Sequence, residues 1–112
     1  MAKEKYQADS FGTLLAELIK RHGYTKTRFL QEMGISKTYL FDIFHGRVKA
    51  PNASMQLRMA EVLDLDDAER ADFFDKAALV RKEVPADIFV ALAEDASLRA
   101  WIRTAIANQK EG

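Results

Sequence analysis

The stretch from Thr25 to Gly46, TKTRFLQEMGISKTYLFDIFHG, constrains this chain more than any other, because one glycine splits it and a second stops it. Phe29, Leu30 and Met33 recur at helical spacing before Gly34, and Ile35, Leu40 and Ile43 give an inward side after it. Thr25 or a neighbour can open the first helix. Ser36 reads as the N-cap of the second, where its hydroxyl can accept from a free first-turn N–H. Gly34 supplies the backbone freedom of the turn, and Gly46 can close the second helix in a left-handed cap. Two short helices around a tight turn are expected.

The rest of the chain reads as helix almost throughout, with two prolines and no convincing strand. Phe11, Leu14, Leu15, Leu18 and Ile19 keep the i, i+3, i+4, i+7, i+8 spacing of a wide apolar face, beginning after Ser10 and ending near Gly23. Asn52 can cap a helix carrying Met55, Met59, Val62 and Leu63. Asp66-Asp67-Ala68-Glu69 has the form of a capping box, leading a helix with Phe73, Phe74, Ala77 and Val80 inward. Pro85 suits the first turn of a further helix, in which Ile88, Phe89, Leu92 and Ala93 are expected to be buried. A last helix after Asp95 carries Leu98, Trp101, Ile102, Ala105 and Ile106 at the same spacing. Residues 1–9 are expected to be a flexible arm and 109–112 a frayed tail.

A chain of 112 residues, 48% of them apolar, can bury one core. The start, MAKEKYQADS, has no hydrophobic region of a secretory signal, no span reaches membrane length, and there is no cysteine. A cytoplasmic protein is expected. Seventeen basic and seventeen acidic residues cancel overall, but not locally. Residues 1–50 hold 9 Lys/Arg against 5 Asp/Glu, a net of +4, and residues 51–112 hold 8 against 12, a net of −4. Lys20, Arg21, Lys26, Arg28, Lys37, Arg47 and Lys49 lie in or beside the two-helix stretch, where a positive potential can meet phosphates.

The run G34-I35-S36-K37-T38-Y39-L40 followed by G46-R47-V48-K49-A50-P51 resembles the Cro/repressor-like (XRE) family of helix-turn-helix regulators. The likeness extends over residues 10 to 65. It implies an all-α, lambda-repressor-like helical bundle with a helix-turn-helix, here followed by a C-terminal helical extension over 66–108. It implies DNA binding, with the second helix of the motif entering the major groove and flanking groups setting its register on phosphates. Carried over by motif position, Lys37, Thr38 and Asp42 are the base-facing candidates. Lys37 can donate to guanine, Thr38 can hydrogen-bond or touch a thymine methyl, and Asp42 can accept from cytosine. Ser36, Tyr39, Arg47, Lys49, Asn52 and Lys26 fall in phosphate-contacting positions. Each has a plainer role open to it: capping for Ser36 and Asn52, ring packing for Tyr39, and an ion pair with Arg47 for Asp42.

The chain departs from the family pattern at four positions. Relatives often have an arginine late in the first helix and a glutamate near the end of the recognition helix, and Ile19 and Phe44 stand there instead. An apolar contact is expected to replace the ion pair, leaving no lone buried charge. Leu30 occupies a place usually held by alanine, where its bulk can change how the two motif helices cross. Phe41 is unusual too, and either touches a thymine methyl or packs on the C-terminal extension.

Phe89, Leu98, Trp101, Ile102 and Ile106 form the expected dimer or partner surface, the alternative being a stripe folded back on Phe73, Phe74 and Phe89. A two-fold dimer would set two recognition helices about 34 Å apart on a pseudo-palindrome. His22 and His45 lie at helix ends with no cysteine or spaced carboxylates nearby, so neither a metal site nor a nucleophile is expected. No cofactor is called for and no enzyme is expected. The reading is a dimeric repressor of double-stranded DNA. Its alternatives are an antitoxin that binds a basic toxin through its acidic half, and a protein-interaction adaptor on the same scaffold.

Overall fold

The computed structural model describes residues 10–111, so the expected arm at 1–9 and Gly112 lie outside the described residues. Seven helices follow in order: α1 (Phe11–Arg21), α2 (Lys26–Met33), α3 (Lys37–Phe44), α4 (Ala53–Leu63), α5 (Asp67–Arg81), α6 (Ala86–Glu94) and α7 (Ala96–Glu111). No strand occurs among the described residues, and the protein is all-α.

Local chemistry accounts for most helix ends. Thr25, Ser36 and Asn52 each accept from the backbone N–H three residues on, at 3.1, 3.0 and 3.0 Å. Each such cap is worth about 1 kcal/mol relative to alanine. Asp66 and Glu69 form a complete capping box at the start of α5. Gly34 ends α2 at φ 69°, a left-handed conformation that a Cβ disfavours, and its N–H bonds to the Leu30 carbonyl. Asp95 caps α7 through the Leu98 N–H at 3.0 Å. Pro85 sits at the N-cap of α6, one place before the first turn in which it was expected.

One apolar core ties α1 to α5. Leu15, Leu18, Phe29, Leu40, Met59, Phe73, Phe74 and Ala77 are inaccessible to solvent, and each large apolar side chain so buried contributes about 1.5–3 kcal/mol. The Phe73 ring lies 5.0 Å from Phe11 and 5.2 Å from Phe74, so α5 completes the core beneath the motif. Leu30 is half-buried against this core. The Tyr24 hydroxyl donates to the Val62 carbonyl at 3.1 Å and pins the α1–α2 connection to α4. Between α1 and α5, Glu69 accepts from Arg21 at 3.0 Å and lies 2.9 Å from the His22 ring nitrogen, besides accepting from the Asp66 N–H.

Helix α6 departs from expectation. Ile88, Phe89 and Ala93 are exposed rather than buried, and α6 sets Ala86 against the rest of the molecule. With its small residue inward, α6 approaches α4 and α5 closely and leaves its larger side chains outside. The main partner of α7 is α6. The Arg99 guanidinium fastens them by donating to the carbonyls of Leu92 and Ala93 at 2.6 and 3.0 Å. Helix α7 runs on to Glu111. With α7 outside the main core, the envelope is elongated at 50 × 35 × 20 Å.

Candidate nucleic-acid interface

Helix α3 is amphipathic by necessity. Leu40 and Ile43 are fully buried and Tyr39 and Phe44 partly so, which leaves Lys37, Thr38, Phe41, Asp42 and His45 along the opposite side. These five positions follow the i, i+1, i+4, i+5, i+8 spacing of one helical face. Lys37 and Thr38 are exposed in the first turn, the part of a recognition helix that reaches base edges.

The depth at which α3 sits depends on Gly12. A Cβ on that residue would lie 2.1 Å from the Ile43 carbonyl oxygen and 2.9 Å from that of Phe44, so α1 runs directly against the backbone of α3. Ile19 and Phe44 line a common cleft with Ala16 and Tyr24, an apolar setting in place of the ion pair common among relatives. Lys20, Thr25 and Lys26 line that same cleft. Lys26 therefore belongs beside Phe44, at the end of α3 away from Lys37.

The loop after α3 is stitched from below. Arg81 donates to the Ala50 carbonyl at 3.0 Å, and the buried Gln56 amide donates to that of Pro51 at 2.7 Å. Ala50 and Pro51 are thereby held inward, while Arg47, Lys49 and Asn52 remain exposed. Arg47 reaches back to Asp42 at 3.2 Å, keeping more than half its side-chain surface in solvent. Asp42 is thus already an acceptor for Arg47 and offers a base only its remaining capacity. Lys49 is near enough to Glu83 to help hold that carboxyl below its usual range, an effect led by hydrogen bonds from Arg81. The Tyr39 hydroxyl is pushed up by burial, with Arg81 opposing, so this ring packs inward as well as bordering the loop.

The structure therefore brings Ser36, Lys37, Thr38 and Asp42 onto one helix end and face, with Arg47 joined to them through Asp42. Ser36 and Asn52 cap their helices and stay exposed. Three contributors went unforeseen in the sequence: Gly12, Gln56 and Arg81. They act across 5 to 31 residues, or against a backbone that no local pattern describes.

No helix among the described residues is long and apolar enough to cross a membrane. No curated protein and no solved structure matches the chain significantly. The model of a helix-turn-helix domain family matches residues 10–73, enclosing α1 to α4 whole and reaching into α5. On that match, which covers more than half of the sequence, the chain belongs to the helix-turn-helix domain family of the Cro/repressor-like clan, and DNA binding is its implied function.

Proposed function

We propose that this protein is a sequence-specific, non-enzymatic transcriptional regulator, a repressor that binds a pseudo-palindromic operator as a two-fold dimer. The observation that carries the reading is the exposed first turn of α3, with Lys37 and Thr38 free of the core and Arg47 and Lys49 held outward by a stitched loop. In this reading Lys37, Thr38 and Asp42 address bases. Lys26, Ser36, Tyr39, Arg47, Lys49 and Asn52 set the register on phosphates.

The dimer reading rests on α6 and α7. Phe89 and Trp101 are 59% and 65% exposed, and Ile106 is 46% exposed. Leu98 and Ile102 are half-buried beside them. Helix α6 carries Asp87 and Glu94, whereas α7 carries Arg99, Arg103 and Lys110. A two-fold arrangement that sets α6 of one copy on α7 of the other pairs opposite charges twice and covers both apolar faces.

Selection of duplexes from a random-sequence pool tests DNA binding and half-site spacing together. The expected result is an inverted repeat with half-site centres about 10 base pairs apart or a multiple of that. Binding should weaken steeply with salt. Mass measured against concentration should give two chains, and Trp101→Asp one. Selection of no duplex overturns the regulator. A wild-type protein that stays a single chain at micromolar concentration overturns the dimer and leaves that surface to another protein.

A further inference from the structure

Phe41 is the one apolar side chain of α3 that does not pack against the core. Tyr39, Leu40, Ile43 and Phe44 all do. Phe41 lies instead on the outward face, one turn after Lys37 and one turn before His45, and is partly covered by neighbours from its own helix. The Lys37 ammonium sits 5.6 Å above its ring centroid. The His45 ring meets it edge-on at 6.4 Å, and Phe44 flanks it at 6.0 Å. His45 Nδ1–H also donates to the Phe41 carbonyl at 2.7 Å, which fastens the flanking imidazole to the backbone beneath the ring.

A phenylalanine buttressed in this way, outside the core, keeps an apolar surface among groups that are otherwise polar or charged. In the major groove the only apolar group on a base edge is the 5-methyl of thymine. We propose that Phe41 is a specificity-determining residue that reads thymine through this methyl, beside the base addressed by Lys37. The inference rests on the DNA-binding reading above. It assigns sequence discrimination to a residue with no hydrogen bond to give, and the ammonium above the ring lets one turn of helix address two adjacent bases. Removing one buried methyl weakens binding about fourfold, the ratio equivalent to about 0.8 kcal/mol.

The test uses the full-length protein and the duplexes it selects from a random-sequence pool. Each thymidine in a half-site is replaced singly by deoxyuridine, which deletes the methyl and leaves the hydrogen-bonding edge intact. At one position per half-site the wild type should bind about fourfold more weakly. Phe41→Leu should keep that discrimination and Phe41→Ser should lose it, with melting curves matching the wild type because the ring is outside the core. Indifference of the wild type to every replacement, or equal sensitivity in Phe41→Ser, overturns the proposal while DNA binding stands. Failure of the wild type to retain any duplex overturns the regulator reading and this inference with it.

Discussion

Replacing Gly12 with alanine is the sharpest test of how α3 is seated. The added Cβ would lie 2.1 Å from the Ile43 carbonyl oxygen, whereas carbon–oxygen contacts settle at about 3.3–3.6 Å. The shortfall is about 1.2 Å, and the obstacle is helix backbone that cannot turn aside like a side chain. Overpacking of this kind costs about 1–3 kcal/mol. Alanine recovers at most about 1 kcal/mol of helix propensity, and less at the second position of a helix than in its interior. The clash should therefore win, with a net loss of about 1–2 kcal/mol and a melting temperature about 4–12 °C lower. Far-UV circular dichroism followed through thermal and urea unfolding reads this directly. Thr13→Ala, at the exposed neighbouring position, makes a similar gain in propensity without the clash and should change stability by less than about 0.5 kcal/mol in either direction. A Gly12→Ala protein that melts at or above the wild type would refute the close seating of α1 on α3.

Glu69 accepts from the Asp66 N–H, Arg21 and His22, and the backbone bond leads the effects that hold its carboxyl below the usual range. Its folded-state contribution is present above the ordinary value of about 4.3 and is lost as pH falls through the depressed one, so wild-type stability should decline faster on acidification than that of Glu69→Gln. Parallel acid titrations of the two proteins would refute this. Asp42→Ala frees Arg47 and removes a negative charge from the outward face of α3, so non-specific DNA affinity should rise and the salt slope steepen by about 0.9. An unchanged affinity and slope would mean that Asp42 does not hold Arg47 back from a phosphate. Lys82 ends α5 at φ 59° without being glycine, and Lys82→Gly should stabilise by a few tenths to about 1 kcal/mol, the relief of left-handed strain outweighing added unfolded-state entropy. Denaturant midpoints check it, and a lower midpoint would count against the strain.

Sequence alone determined the helices that bear the interface. Apolar spacing in α1 and the cap chemistry of Thr25, Ser36, Asn52 and Asp66 with Glu69 are decided within four residues of chain, and so are legible without a fold. The run from Gly34 to Pro51 likewise carried the family. Exposure of Lys37 and Thr38 followed from the positions of Leu40 and Ile43 on the other side of the same short helix. Tertiary structure decided what depends on meetings between distant segments. Gly12 matters through the carbonyls of α3, Arg81 through Ala50, and Gln56 through Pro51. The clearest reversal is α6, whose apolar residues promise burial in any local reading. Whether such a stripe is inside or outside depends on which of its sides another helix occupies, and that was settled by Ala86 packing inward while Ile88 and Phe89 were left in solvent.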